Sequence, residues 1–292
     1  MRDLTRRDLI RAASVAAAAV AVGSVQGLAP SAFGAPPAEW IHDPASPIGP
    51  PAWGDIGFPT CGMGRSQSPV NISTDAAVDM HGAPLMLRYQ TSELAVANTG
   101  HVIEVPIPAG VRDTLQIGGD FYTLSQYHFH APSEHTVDGR QADVEAHFVH
   151  TNTKGETAVV GVFFRVGTHP NEVLDRILLS APAAEGEEVH AGEANPAELF
   201  HGTKSIAWTS WGGMVRVSTY YAYTGSLTTP ACTEVVRWSV LADGGQVSTA
   251  AVAHLHQVIG QFPNYNGYPN NNRPVQPLNG RIVKVRAAAG PA

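Results

Sequence analysis

Three histidines with β-strand spacing are the side chains of this sequence best suited to metal chemistry. His128 and His130 are two residues apart, and because side chains alternate between the two faces of a strand, both imidazoles face the same side. A second alternating run at 143–149, after a turn signal at 138–139, supplies His147. Two imidazoles on one strand and one on its antiparallel neighbour predict a three-nitrogen metal site with an open fourth position, which is typical of catalytic rather than structural zinc.

Two polar residues precede these histidines at the same spacing. Gln126 and Glu145 each lie two residues before a candidate ligand, so strand geometry places them on the ligand's face. There they can accept an N–H from an imidazole and fix its tautomer and orientation. The alternative is an ordinary solvated polar residue, which is less compatible with the apolar neighbours Val144 and Phe148 of Glu145.

The elements that would position these residues predict a mainly β (α+β) single domain. The nearly continuous apolar run at 158–166 indicates a central strand buried on both faces. Asn171 and Ser248 would cap two short amphipathic helices. Residues 36–64 are predicted to form an irregular arm, and 181–218 a surface excursion. Further strands are predicted at 85–89, 94–98, 101–105, 114–117, 121–131, 142–151, 220–223, 235–241 and 281–285.

The composition limits the possible folds and partners of this protein. The chain has 292 residues, 43% of them hydrophobic, which is enough for a sizeable core. Charged residues make up only 15%, and the net charge of -7 argues against a nucleic-acid partner. The 29 glycines and 22 prolines favour many short strands and turns over long helices.

The N-terminus has the features of an export signal. The run Thr5–Arg11 contains paired arginines, an alanine-rich apolar stretch follows to about residue 29, and small residues at 32–35 would be cleaved. We therefore predict a twin-arginine signal at 1–35, a folded domain at 36–292, and a periplasmic or secreted location. The alternative is a membrane anchor, but the apolar run is short and rich in small residues. No other segment is apolar and long enough to cross a membrane.

The two cysteines, Cys61 and Cys232, fit an exported protein. An even number of cysteines in an oxidising compartment predicts a disulfide. By chain entropy, closing so long a loop is worth on the order of 5 kcal/mol as an upper figure. Two buried free thiols are the alternative.

Six motifs in order make the sequence similar to the α-class carbonic anhydrases, over about residues 38–286. The resemblance implies a central, ten-stranded, mostly antiparallel twisted sheet with a few peripheral short helices and a conical zinc cleft. The motifs that carry it are Gln67–Ile72, Gly100-His101, Gln126–His130, Ser133–Gly139, Glu145–His150 and Gly225–Pro230.

The resemblance implies reversible hydration of CO₂ to bicarbonate and a proton. His128, His130 and His147 would bind Zn²⁺, and a zinc-bound hydroxide would attack CO₂. Zinc held by neutral histidines lowers the pKa of bound water to about 7, a value known from carbonic anhydrase itself. His101 corresponds to the family's proton shuttle, a partly exposed imidazole with a pKa of about 6.5 that relays the proton to buffer.

The substrate contacts are likewise implied by the resemblance. Thr228 and Glu134 match the family's gate pair, in which the threonine hydroxyl donates to the carboxylate and orients the attacking oxygen. Thr229 would be a secondary contact. Without the resemblance, 228–230 would simply be a turn. The hydrophobic wall of the CO₂ pocket would consist of Val149, Val159, Leu227, Val236 and Trp238.

Several positions depart from the family pattern. His42 stands where a tyrosine beside the metal ligands is expected, although the alignment of the arm is loose. Thr99 and Glu104 replace asparagines that order cleft water in the animal enzymes. Residues 202–217 resemble an insertion. These differences concern the catalytic rate and the mouth of the cleft.

Two other functions are alternatives to CO₂ hydration. A cupin-type metal oxygenase would use Glu134 as an iron or manganese ligand, because His128-x-His130-x₃-Glu134 matches a cupin ligand string. A zinc-free carbonic-anhydrase-like binding domain would need no metal, but such domains usually lack a ligand histidine. With the resemblance, the expected partners are CO₂ and bicarbonate, with sulfonamides and anions as inhibitors, in a monomer or homodimer.

Overall fold

The computed structural model describes residues 39–208 and 214–287. The predicted export signal at 1–35 lies outside the described residues. Within those two ranges, no helix is long and apolar enough to span a membrane. The predicted mainly β class is confirmed, since one large twisted sheet dominates the described part of the chain.

The sheet contains more strands than the ten expected. Fourteen strands of the described chain join it, and two short strands, β1 and β8, form a separate parallel pair. In chain order the strands are β1 Asn71–Ile72, β2 Val78–Asp79, β3 Leu85–Arg88, β4 Ser92–Asn98, β5 Ile103–Pro106, β6 Thr114–Ile117, β7 Asp120–His130, β8 Thr136–Val137, β9 Val144–Thr151, β10 Thr157–Val166, β11 Glu188–Ala194, β12 Ile206–Trp208, β13 Met214–Val217, β14 Tyr220–Ser226, β15 Glu234–Val247 and β16 Lys284–Arg286.

The central strands of the sheet follow the order β6-β7-β9-β10-β15-β14. Their pairing is antiparallel except between β10 and β15, which run parallel. Strand β10 is buried over most of its length, as its apolar run predicted. Strands β4, β5 and β11 branch from β7 through β5, and β12, β13 and β3 extend the other edge beyond β6.

The two faces of the central sheet carry different kinds of side chain. On β7, Tyr127 and Phe129 face the main hydrophobic core, while His128 and His130 face the opposite side. On β9, Phe148 faces the core and His147 the opposite side. One face therefore stabilises the fold, and the other is free to carry polar chemistry.

Helices cover the core face. Helix α1 spans Pro59–Met63, α2 spans Glu172–Leu179 and α3 spans Thr249–Ile259, with short 3-10 turns at Pro50–Ala52 and Pro196–Phe200. The predicted caps are confirmed, because the side chains of Asn171 and Ser248 accept backbone N–H groups in the first turns of α2 and α3. Both helices bury leucine and isoleucine side chains in the main core.

The prediction of a surface excursion at 181–218 is wrong in part. That stretch contains β11, β12 and β13. The sequence did not predict β11, because this strand has no apolar alternation. In the described structure it pairs only with β4 and exposes most of its side chains. Strand β13 pairs with β3 and buries Val215 and Val217 in the core. The segment resembling an insertion thus extends the sheet by two strands.

Candidate metal centre

Strand register brings the three predicted ligands together. His128 and His147 are directly opposite each other across the antiparallel β7–β9 pair, and His130 follows two residues along β7. The ring centroids of His130 and His147 are 4.6 Å apart, and those of His128 and His147 are 5.3 Å apart. One ligand atom from each histidine lies within 4.8 Å of the others. The sequence-predicted cluster is therefore formed.

The second nitrogen of each ring is already used. His128 Nδ1 donates to Gln126 Oε1 over 2.9 Å, and His147 Nε2 donates to Glu145 Oε1 over 2.9 Å. His130 Nδ1 donates over 2.8 Å to the backbone carbonyl of Asn271, a partner that the sequence did not reveal. The remaining nitrogens therefore carry lone pairs.

A divalent cation fits this donor set. His130 Nε2 is buried and has no hydrogen-bond partner among the described residues. Burial also lowers the pKa of His128 and of His130, which keeps both neutral, as metal ligands must be. Burial opposes protonation of His147 too, but the adjacent Glu145 carboxylate outweighs it and raises the pKa of His147. Three converging imidazoles with satisfied outer nitrogens match the ligand chemistry of Zn²⁺.

Glu145 anchors one ligand and its surroundings. Its Oε1 accepts from His147 and from His135 Nδ1, and its Oε2 accepts from the backbone N–H groups of Glu134 and His135. A Cβ added at Gly161, on the neighbouring strand β10, would lie 3.0 Å from Glu145 Oε1, so a side chain there would force the carboxylate to shift by a few tenths of an ångström. Burial opposes ionisation, but the two histidines and their hydrogen bonds outweigh it and hold the pKa of Glu145 well below its usual value.

A hydrogen-bonded chain continues from Glu145 to the predicted substrate loop. Since His135 Nδ1 donates to Glu145, its Nε2 accepts from the Tyr223 hydroxyl over 2.6 Å. Tyr223 in turn contacts Ser68 Oγ at 2.8 Å, and Ser68 Oγ accepts from the Ser226 backbone N–H. His135, Tyr223 and Ser68 were not predicted as site residues, although His135 and Ser68 lie inside recognised motifs. The chain links the metal ligands to the residue before Leu227.

The predicted gate pair is only partly assembled. Glu134 is fully buried, and its Oε1 accepts the Arg273 backbone N–H over 2.8 Å. Its Oε2 has no hydrogen-bond partner among the described residues and lies 3.5 Å from His130 Nε2. Thr228 follows β14 in the chain and is buried. Its hydroxyl does not donate to Glu134 Oε2. The Thr228–Glu134 bond therefore remains a prediction.

The loop that carries Thr228 and Thr229 is held by short contacts. Leu227 N–H donates to the Thr233 carbonyl, and Cys232 N–H donates to the Thr229 carbonyl over 2.8 Å. The predicted disulfide is present and joins Cys232 to Cys61 in the N-terminal arm, with Cα atoms 5.1 Å apart. This crosslink ties the predicted substrate loop to a segment 171 residues away in the chain.

The predicted hydrophobic wall forms one cluster on the metal face of the sheet. The Trp238 ring lies 4.8 Å from the ring of His147, centroid to centroid. Strand pairing sets Val159 opposite both Val149 and Trp238. The cluster contains all five predicted wall residues, Val149, Val159, Leu227, Val236 and Trp238.

His101 is partly buried, and it packs against an aromatic ring of the N-terminal arm. Its ring is stacked on Trp40, with centroids 3.8 Å apart and planes 10° from parallel. Burial lowers the pKa of His101 to about 4, below the value of about 6.5 expected for a solvated imidazole. The N-terminal arm supplies Trp40, a contact that the sequence did not indicate. The adjacent Gly100 has the predicted bend, with φ of 83°.

Glu104 adds a carboxyl group to the same face. It is directly opposite His128 in the β5–β7 register. Burial raises the pKa of Glu104 to about 6. Cross-strand neighbours share a face, so Glu104 adds an ionisable group beside the candidate ligand His128.

Comparison with known proteins agrees with this geometry. The family model for eukaryotic-type carbonic anhydrase matches residues 48–287. The chain is 34% identical over 254 residues to a carbonic anhydrase of Pectobacterium atrosepticum, covering 86% of this chain and 93% of the relative.

Solved structures agree as well. The α-carbonic anhydrase of Thermovibrio ammonificans, solved with the inhibitor sulfanilamide, matches with a TM-score of 0.72 and 36% identity, covering 85% of this chain and 99% of that one. Dioscorin, solved with ascorbate, matches with a TM-score of 0.73 and 29% identity, covering 87% and 100%. The family model spans most of the chain and both sheet and ligand histidines are in place, so this chain belongs to the α-class, or eukaryotic-type, carbonic anhydrase family.

Proposed function

We propose that this protein is a zinc enzyme that catalyses the reversible hydration of CO₂ to bicarbonate and a proton. The observation that carries the proposal is the convergence of His128, His130 and His147, each with its outer nitrogen already hydrogen-bonded. Zinc bound there would lower the pKa of a water molecule so that hydroxide is available near neutral pH; the family itself is the type example of this chemistry.

The surrounding residues bind and orient the reactants. The apolar wall formed by Trp238 and its neighbours provides a pocket for a small apolar molecule such as CO₂. Thr228 would orient the attacking oxygen and donate a hydrogen bond from its backbone N–H to a substrate oxygen. Glu134 would accept a hydrogen bond from the Thr228 hydroxyl. Glu134 Oε2 supports this role, since it is buried and unpartnered and can accept.

His101 would carry the released proton to buffer. In its position against Trp40 the low pKa of about 4 makes it a weak proton acceptor at neutral pH. Movement of the imidazole away from Trp40 into solvent would raise its pKa toward about 6.5 and make it a better proton acceptor.

We also propose export through the twin-arginine route, with the mature domain periplasmic or secreted. The buried Cys61–Cys232 disulfide supports an oxidising location. Sulfonamides are expected to inhibit, since a related enzyme was solved with sulfanilamide as inhibitor.

The test combines metal analysis with stopped-flow CO₂ hydration on purified protein. We expect about one zinc per chain, loss of activity on chelation, and inhibition by sulfanilamide. His130→Ala should lose zinc and activity, while exposed His81→Ala serves as the matched control. Metal-free wild-type protein that leaves CO₂ untouched would instead support a zinc-free binding domain. Bound iron with an oxygenase activity would favour the cupin alternative.

A further inference from the structure

His42 is a buried histidine beside the metal centre that the proposed function leaves unused. Its side chain is fully buried, and its ring centroid is 6.4 Å from that of His130. The rings of Trp40 and Trp53 pack edge-on against it at 5.2 Å and 5.7 Å. His42 is therefore held rigidly in place by aromatic neighbours.

The two nitrogens of His42 are in different situations. Nδ1 shares a hydrogen bond with the hydroxyl of Tyr265. Nε2 is buried and has no hydrogen-bond partner among the described residues. An unsatisfied buried polar atom costs about 1–3 kcal/mol, so Nε2 is expected to bind a molecule small enough to enter the cleft. Water is that molecule, because it can satisfy a single buried nitrogen and bond onward.

The location of His42 suggests what that water does. The ring of Trp40 contacts His42 on one side and is stacked on His101 on the other, at centroid distances of 5.2 Å and 3.8 Å. His42 thus lies close to both the candidate ligand His130 and the candidate shuttle His101. These contacts place His42 beside both ends of a path from the candidate metal centre to His101.

We propose that His42 and Tyr265 form a positioning pair that holds a water molecule on the route from the metal centre to His101. Tyr265 fixes one tautomer of the imidazole through its hydrogen bond with Nδ1. The role of Nε2 toward the water, as donor or as acceptor, therefore does not change. The imidazole stays neutral, and the proton passes through the water to His101 and then to buffer. This inference rests on the proposed CO₂ hydration.

Steady-state kinetics of CO₂ hydration test the proposal. His42→Phe keeps an aromatic ring but removes both nitrogens, and Tyr265→Phe removes only the hydroxyl. Each should lower kcat by about fivefold or more, because kcat includes proton export, while kcat/KM stays within about twofold. Zinc content should be unchanged. His169→Phe, at an exposed site, is the matched control and should change neither constant.

Isotope exchange separates the two steps directly. Loss of ¹⁸O from labelled bicarbonate at equilibrium reports CO₂ interconversion, and release of labelled water reports proton transfer. Only the second rate should fall in the variants. Equal loss of kcat and kcat/KM, or unchanged kcat in both variants, would overturn the proposal. Failure of the proposed function itself differs, since the wild-type protein would then be inactive.

A measurement without activity covers the case in which His42→Phe does not fold. Imidazole ¹⁵N NMR of the zinc-free protein should show His42 in one neutral tautomer, and Tyr265→Phe should shift it toward the other tautomer or a mixture. Identical His42 spectra in the two proteins would mean that Tyr265 does not set the tautomer, and the positioning pair would be rejected.

Discussion

At the scale of single residues, the candidate metal centre depends on which groups accept the outer N–H of its three histidines. The three acceptors are an amide oxygen from Gln126, the backbone carbonyl of Asn271 and the carboxylate of Glu145. Only Glu145 carries a negative charge, and it accepts from both His135 and His147. Charged acceptors make the stronger hydrogen bonds and increase the basicity of the ligand.

Replacing that carboxylate should weaken metal binding. Glu145→Gln introduces an NH₂ group that cannot accept, so one of the donors around it is left unsatisfied and His147 loses its charged partner. We expect zinc affinity to fall by about 10- to 100-fold, measured by competition with a chelator. Glu156→Gln, at an exposed site, is the control. Unchanged affinity in Glu145→Gln would show that His147 is oriented by packing alone.

At the scale of elements, strand register and backbone shape decide the site. The β7–β9 register sets His128 against His147, and β10 supplies Gly161 where Glu145 needs space. The edge strands β12 and β13 contribute in a different way. On β13 the inward side chains of Val215 and Val217 join the main core and have no exposed surface. The insertion is therefore expected to stabilise the domain without touching the metal centre.

Truncation of one inward side chain tests this role. Val215→Ala removes two buried methyl groups, and we expect a loss of about 2 kcal/mol in the free energy of unfolding, measured in urea. Arg216→Ala, at an exposed position on the same strand, should change it by less than about 0.5 kcal/mol. The CO₂ hydration rate should be the same in both. Similar stability losses in the two variants would argue against a core role for β13.

At the scale of the whole molecule, distant segments meet around one buried cation. The Arg273 guanidinium donates to Gln67 Oε1, to the Ser68 carbonyl and to the Cys61 carbonyl, and it lies over the Trp53 ring. These contacts join the C-terminal loop to the N-terminal arm. The Cys61–Cys232 disulfide adds the predicted substrate loop to the same junction. Together they close the fold around the metal face.

Asp113 gives the domain a defined pH dependence. It is buried on the sheet, its Oδ1 accepts the Gln90 N–H, and its Oδ2 has no partner among the described residues. Burial, partly offset by the Gln90 hydrogen bond, raises the pKa of Asp113 to about 6. The folded protein then binds more protons than the unfolded chain between the ordinary carboxyl pKa and about 6, so stability falls as pH rises through this window.

Asp113→Asn removes that penalty while keeping an acceptor for Gln90. Urea unfolding gives the free energy of unfolding of the variant and of the wild-type protein at each pH. The increase caused by Asp113→Asn should be about 1 kcal/mol larger at pH 8 than at pH 5, with solvent screening included. Exposed Asp79→Asn should show no such difference. A gain that is equal at the two pH values would mean that Asp113 does not titrate between them.

The sequence by itself determined the face on which each strand residue lies. Period-two alternation placed His128 and His130 together and put Gln126 and Glu145 beside their ligands, because this relation is local to a strand. The caps Asn171 and Ser248 were also predictable, since a cap acts on the next two or three residues. The disulfide followed because only two cysteines exist.

Tertiary structure alone decided which groups face each other across long distances in the chain. Asn271 supplies the third acceptor from 141 residues away, Tyr265 pairs with His42 across 223 residues, and Trp40 buries His101 and lowers its pKa. None of these contacts leaves a periodic trace, because each depends on the path of a loop. Alternation fixes the face of a residue, but only the folded chain fixes its partner and therefore its charge and protonation.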